Sequence, residues 1–233
     1  NGLLDRKVKW YFLPSYILKT KKLTKYDSIQ GTYKKLKKAV NRQLISDVPI
    51  GAFLSGGLDS SSIVAIASQS LPELNCFTIK INGQSKEGLV DDLPYAKRVA
   101  NHFNLPLDIV EVESSVLASR LEEMVWQLDE PLADVAPLNV LLISRLAKTK
   151  GIKVLLSGAG GDDIFTGYSR HLSLKIEKYW TWLPKKALLN LEKLTSNIPT
   201  EKSFFRRFRK IFSGASLNTN ERIINYFKWI NNK

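Results

Sequence analysis

Residues 49–61 have the sequence PIGAFLSGGLDSS, which is the most informative stretch of the chain. Its first six residues form a short apolar run that predicts a buried strand, and the turn SGG ends that strand. A helix is predicted from about residue 59 to 70. Gly56 and Gly57 let the backbone turn tightly and let its amides approach a ligand, while the first N–H groups of a helix attract anions. The stretch therefore predicts a phosphate cradle between a strand and a helix.

An acidic residue, Asp59, lies inside this predicted cradle. A carboxylate there repels phosphate unless a cation lies between them, so Asp59 indicates Mg²⁺ bound to the phosphates. The stretch is not a mononucleotide P-loop, because no Gly-Lys-Ser/Thr follows, and it lacks the G-x-G-x-x-G dinucleotide fingerprint. The residues alone leave one alternative open, an ordinary strand-to-helix turn with Asp59 as the N-cap.

A second stretch of the same design covers residues 155–168, LLSGAGGDDIFTGY. An apolar strand again ends in a glycine-rich turn, and Asp162 and Asp163 follow where a helix is predicted to begin. If the two strands are neighbours, the two loops close around one nucleotide, and Asp59 and Asp162 share a Mg²⁺ ion. The alternative is that the two carboxylates only cap the next helix.

The rest of the chain predicts strands that alternate with helices. Further strands are expected over 76–81, 107–112 and 152–156, and a first helix is expected from Asp27 or Ser28 to Leu44. This alternation predicts an α/β fold, a parallel twisted sheet with helices on both faces and ligands at the carboxyl ends of the strands. A helix is also predicted from Ser114 or Ser115 to Leu128, and only helical patterns follow Tyr168.

Composition narrows the classes of protein further. The chain has 233 residues, 44% of them hydrophobic, and one cysteine, Cys76, which allows no internal disulfide. No apolar run is long enough to span a membrane and no signal peptide is visible, so we expect a cytoplasmic protein. The net charge of +13 comes from residues 1–46 and 171–233, whereas residues 47–170 are net acidic. Solvated basic helix faces are favoured over a nucleic-acid or membrane surface or a contact with an acidic domain.

The two stretches resemble a known family. The first resembles the S-G-G-x-D-S loop of the ATP pyrophosphatase (PP-loop) superfamily, whose fold is adenine nucleotide alpha hydrolase-like. Residues 46–61 are similar to the synthetase domain of glutamine-hydrolysing asparagine synthetases, and residues 155–168 are similar to that family's S-G-x-G-x-D-E-x-F-x-G-Y motif. The resemblance implies a synthetase domain over 28–170. It makes 1–27 a linker from a domain outside this sequence and 171–233 a truncated helical extension.

The resemblance also implies a reaction and its residues. The side-chain carboxylate of aspartate is activated as β-aspartyl-AMP with release of pyrophosphate, and ammonia from an absent glutaminase domain then forms asparagine. ATP and Mg²⁺ are the implied cofactors, and a homodimer is compatible. Asp59 and Asp162 are the implied metal ligands, and together with Asp163 the implied catalytic residues. The implied ATP-binding residues are Leu54, Ser55, Gly56, Gly57, Asp59, Ser60, Ile79, Ser157 and Gly158.

Departures from the family pattern keep other functions open. Ala159 occupies a position where asparagine synthetases carry an acidic residue that assists ammonia attack, and Asp163 replaces a Glu. Cys76 lies in a predicted core strand and cannot replace the glutaminase nucleophile. The alternatives are a relative that amidates another carboxylate, such as a sugar acid, or closes a lactam ring, an inactive fragment, and, less favoured, a basic RNA-binding or tRNA-modifying module.

Overall fold

The computed structural model describes residues 23–82, 91–130, 136–199 and 203–228, together with Val8, Leu132 and Asp134. Its strands form one parallel four-stranded sheet in the order β3–β2–β1–β4. The strands are β1 (Ile50–Phe53), β2 (Asn75–Asn82), β3 (Leu107–Glu113) and β4 (Val154–Leu156). The predicted α/β class with a parallel sheet is confirmed.

Helices connect these strands and continue after them. They are α1 (Lys25–Gln43), α2 (Leu58–Ala67), α3 (Leu93–Phe103), α4 (Ser114–Ser119), α5 (Leu121–Leu128), α6 (Ala136–Thr149), α7 (Gly161–Phe165), α8 (Ser169–Ile176), α9 (Lys185–Ser196), α10 (Ser203–Phe212) and α11 (Thr219–Phe227). A short 3₁₀ helix, Glu177–Tyr179, follows α8. The single helix predicted from Ser114 or Ser115 to Leu128 is therefore two helices, which meet at Arg120.

The first helix begins earlier than the sequence predicts. Thr24 is its N-cap, and the Thr24 hydroxyl accepts a hydrogen bond from the Asp27 N–H at 3.1 Å. Asp27 is the third residue of the helix, and its carboxylate accepts hydrogen bonds from the Thr24 N–H at 3.4 Å and from the Thr24 hydroxyl at 2.7 Å. Because Asp27 takes part in this capping box, its sequence context resembles that of a cap, which explains why the sequence predicts the start of the helix at Asp27 or Ser28.

The core lies on both faces of the sheet, as expected for a parallel sheet. Cys76 and Phe77 are neighbours in β2, are both 0% exposed, and belong to different apolar clusters because successive strand residues point to opposite faces. The Cys76 cluster includes Val64 of α2, and the Phe77 cluster includes Ile143 of α6. The sheet is therefore covered by helices on each side.

The strand order places two loops side by side. β1 pairs with β2 through Ala52 and Cys76, and with β4 through Ala52 and Leu156. The chain proceeds outward from β1 to β2 and β3, and then returns to the opposite side of β1 for β4. The change of direction makes the β1–β4 boundary the topological switch point, where ligands bind in folds of this class.

The C-terminal helices have an apolar cluster of their own, which contains Trp180, Leu188 and Ala215. An ion pair supports it: Arg222 Nε donates to Glu177 Oε1 at 2.7 Å, and their side chains are only 6% and 12% exposed. All regular structure after Tyr168 in the described residues is helical, as predicted. The domain boundaries at 27/28 and 170/171 stay predictions, although α1 already begins at Lys25. Within the described segments, no helix is both long and apolar enough to cross a bilayer.

Candidate active site

The first glycine-rich loop leads from β1 into α2. Leu54 continues the sheet by donating its N–H to the Phe77 carbonyl at 2.8 Å, and its side chain is 1% exposed in the core. Gly57 is the N-cap of α2 and forms no side-chain capping bond. Asp59 is the second residue of the helix, so the alternative that makes Asp59 the N-cap is wrong. The first amides of α2 are therefore without an intrahelical acceptor.

Two serine hydroxyls hold the shape of this loop. The Oγ atoms of Ser55 and Ser60 are 3.0 Å apart, and the Ser55 N–H donates to Ser60 Oγ at 3.3 Å. Gly57 N–H donates to Ser55 Oγ at 3.3 Å. Because Ser60 is only 8% exposed, this network belongs to the interior of the loop and fixes the backbone in place without a ligand.

Both the backbone conformation and the close packing at position 56 require glycine. Its φ of +78° lies in the left-handed region, and a Cβ there would overlap the backbone of Tyr95 and Ala96 at the start of α3. The loop can thus lie directly against α3 only with glycine at this position.

The second loop leaves β4 and packs on the first. A Cβ on Gly158 would lie 2.8 Å from the Ser60 nitrogen and 3.0 Å from the Asp59 Cβ. A Cβ on Gly161 would collide with the Asp59 carboxylate. The two loops therefore touch through glycines, and the Asp59 carboxylate lies against the residue that precedes Asp162.

A cleft of about 440 Å³ opens between the two loops. Both Asp59 and Asp162 line it and are half-buried. The lining contains seven of the residues predicted to bind ATP or metal: Ser55, Gly57, Asp59, Ser60, Ser157, Gly158 and Asp162. Ala159, which the family resemblance already places at the site, lines it too, and four further lining residues are not predicted from the sequence: Phe53, Leu58, Phe165 and Gly167.

Four predicted site residues lie outside the cleft lining. Leu54 can offer only backbone atoms, because its side chain is in the core, and Gly56 lies against α3. Ile79 packs in the same apolar cluster as Phe53, which does line the cleft. Asp163 does not line the cleft; its side chain is 63% exposed, and its Oδ1 lies 4.0 Å from Nη2 of Arg170. Among the lining residues that the sequence does not assign to the site, Phe53 could have been predicted, because it is the last residue of β1 and ligands bind at the carboxyl ends of parallel strands.

The donor set of the cleft fits Mg²⁺ held together with a phosphate ligand. In the described ranges there is no group of three or more His, Cys, Asp or Glu side chains that could hold a metal ion. The cleft supplies two carboxylates, Asp59 and Asp162, close to the free amides of α2. Mg²⁺ is typically bound by one or two carboxylates, with substrate phosphates and water completing its coordination.

The single cysteine takes no part in this site. Cys76 is 0% exposed within β2, and burial raises its pKa to about 12. A thiol that stays protonated and inaccessible is not a nucleophile, which confirms the prediction that Cys76 cannot replace a glutaminase cysteine.

Comparison with known proteins shows which family the chain belongs to. The family model described as asparagine synthase matches residues 31–227. The chain belongs to the asparagine synthase family. A putative glutamine-hydrolysing asparagine synthetase from Mycobacterium bovis is 32% identical over 217 residues, covering 91% of this chain and 31% of the relative. Asparagine synthetase 1 from Bacillus subtilis is 36% identical over 140 residues, covering 59% of this chain and 21% of the relative.

A further relative is named an amidase and not an asparagine synthetase. Amidase chyE from Penicillium rubens is 34% identical over 154 residues, covering 60% of this chain and 22% of the relative. The chain thus spans less than a third of the length of these curated relatives. Among solved structures, an NH₃-dependent NAD synthetase from Campylobacter jejuni aligns at a TM-score of 0.39 and 14% identity, covering 81% of this chain and 96% of that one.

Proposed function

We propose that this chain is the ATP-dependent, carboxylate-activating part of an amidoligase of asparagine synthetase type. The observation that carries the proposal is the contact between the two glycine-rich loops, which brings Asp59 and Asp162 to one cleft at the switch point of the sheet. Family membership supports the reaction class. A C–N bond is formed at a carboxyl group after the carboxylate has been activated by ATP.

The site residues have separate roles in phosphate binding and metal binding. The free amides of α2 bind phosphate oxygens, and the half-buried carboxylates of Asp59 and Asp162 would hold Mg²⁺, which neutralises the charge of the triphosphate. The rigid loop aligns the α-phosphate with the incoming carboxylate, since phosphoryl and nucleotidyl transfer depend mainly on positioning and charge stabilisation. The carboxylate oxygen attacks the α-phosphorus and pyrophosphate leaves.

The acceptor in this proposal is the side chain of aspartate. Its activation gives β-aspartyl-AMP, and attack by ammonia gives asparagine and AMP. The ammonia would come from glutamine through a glutaminase domain. Aspartate is chosen as the acceptor because the relatives are named asparagine synthetases.

One observation favours a second acceptor class. Ala159 lines the cleft, and its methyl group can neither accept a proton nor form a hydrogen bond. An acidic group that assists attack by free ammonia is therefore missing at this position. A relative that amidates another carboxylate or closes a lactam ring agrees with this difference, and so does the relative named Amidase chyE.

Isotope exchange between pyrophosphate and ATP tests the proposal, because exchange requires reversible activation of the acceptor. We expect exchange that depends on aspartate and is lost in Asp59→Asn. The matched control is Asp47→Asn, because Asp47 is exposed and precedes β1 at the opposite end of the sheet. Exchange with a sugar acid but not aspartate would favour the second acceptor class, and no exchange with any carboxylate would refute the reaction.

A further inference from the structure

A guanidinium group just beyond the second loop lies between two aromatic rings. The Cζ of Arg170 is 4.0 Å from the ring centroid of Tyr168 and 4.6 Å from that of Phe227. Tyr168 is the N-cap of α8, next to the second loop, whereas Phe227 is the last residue of α11. Arg170 therefore connects the end of the second loop to a helix of the C-terminal extension.

The same guanidinium faces α7. Its Nη2 lies 4.0 Å from Oδ1 of Asp163, and the Arg170 side chain is only 23% exposed. Its Nε is buried without a hydrogen-bond partner. The Arg170 end of this pair is largely out of water against the two rings, whereas Asp163 is 63% exposed, so the attraction between them is that of a partly screened pair.

The α7 helix depends on such support because it is short. It has five residues and lies between Gly160 at φ +87° and Thr166 at φ +60°. A β-branched residue rarely adopts a left-handed conformation, so the end of α7 is a strained turn. Successive helical side chains point about 100° apart. Asp162 consequently faces the cleft when Asp163 faces Arg170.

We propose that Arg170 is a positioning residue, which holds Asp163 beside the Tyr168–Phe227 pair and thereby keeps the Asp162 carboxylate directed into the cleft. Asp163 then acts through the orientation of α7, and not on the substrate. The expected change in the kinetics of ATP use rests on the proposed function. The expected ordering of residues 158–167 is independent of the proposed function.

Four variants test the inference in the purified chain, and one of them, Arg170→Lys, is the conservative replacement that keeps the charge. Arg170→Gln removes the charge, and Phe227→Leu removes one ring without changing Asp163. Arg120→Gln is the control, because Arg120 pairs with Glu123 at 3.1 Å with its own side chain 46% exposed. Amide hydrogen exchange over residues 158–167 and the kinetics of pyrophosphate exchange are measured below the unfolding temperature of every variant.

We expect faster hydrogen exchange over 158–167 in Arg170→Gln and in Phe227→Leu but not in the control. The kcat/KM for ATP falls roughly 10–100-fold in Arg170→Gln, with a raised KM, because the groups that orient metal ligands typically contribute this much. Arg170→Lys, which keeps the charge, restores part of the loss. A role in stability alone would lower kcat through the folded fraction and leave the KM for ATP unchanged.

Unchanged hydrogen exchange over 158–167 in Arg170→Gln would overturn the inference. An unchanged KM for ATP in an active enzyme would overturn it as well. If the unaltered protein catalyses no exchange with any carboxylate, the proposed function fails separately, and the hydrogen-exchange comparison alone then decides the role of Arg170.

Discussion

Adding one methyl group at the contact between the two loops should separate them. In Gly158→Ala the new Cβ would lie 2.8 Å from the Ser60 nitrogen and 3.0 Å from the Asp59 Cβ, whereas ordinary contacts begin at 3.4 Å. The neighbours are backbone atoms and the first side-chain carbon of a helix, which cannot rotate away. The loops must therefore move apart by about 0.6 Å.

The expected loss of stability follows from the kind of contact that is disturbed. Overpacking a close contact costs about 1–3 kcal/mol, and the Tm falls by roughly 2–4 °C for each kcal/mol in a chain of this size. The affinity for ATP should fall by more than this loss of stability implies, because the methyl group would cover the Ser60 amide of the predicted phosphate cradle. We therefore expect Mg·ATP binding to weaken about 10–100-fold, the scale on which a misplacement of about 1 Å slows an enzyme.

Equilibrium titration with Mg·ATP and thermal unfolding of the same preparations measure the two effects. Gly151→Ala is the control, because Gly151 has a φ of +76° but no atom within 4 Å of its added Cβ. It should lose about 1–2 kcal/mol through its left-handed backbone and bind ATP unchanged. The reasoning is refuted if Gly158→Ala binds Mg·ATP within about twofold of the unaltered protein, or if the control loses as much affinity.

Three further predictions concern the proposed metal ligands, the thiol and the C-terminal ion pair. Asp59→Asn and Asp162→Asn should each lower pyrophosphate exchange by about 10²-fold or more, measured at saturating Mg²⁺, since each would remove a charged ligand of the proposed ion. Cys76 should not react with a thiol reagent at pH 8 until the protein unfolds. Its raised pKa contributes a decline in the free energy of unfolding as the pH rises from about 9 to about 12, because the unfolded thiol ionises first. Cys76→Ala should make the decline over this pH range shallower in urea titrations. Arg222→Met should cost about 3–5 kcal/mol in the same assay, because it leaves Glu177 buried without its partner.

The sequence predicts the features that local chemistry determines. Glycines and aspartates at fixed spacing after an apolar run define both loops, and each loop lies where the pattern places it. The alternation of strands and helices likewise predicts the sheet. The predicted start of α1 is too late because Thr24 and Asp27 are both capping residue types, and only their reciprocal bonds reveal which one begins the helix.

Features that depend on distant parts of the chain were not predictable. The direction of Asp163 depends on Arg170, whose position depends on Phe227 of α11. No pattern in the sequence records such contacts.

The shared cation is the most direct test of this account. A crystal structure of the protein with Mg²⁺ and a non-hydrolysable ATP analogue should show one ion that binds oxygen atoms of both Asp59 and Asp162 at about 2.1 Å. The triphosphate should lie over the first amides of α2. A nucleotide bound elsewhere, or a structure in which the two carboxylates share no cation, would contradict it.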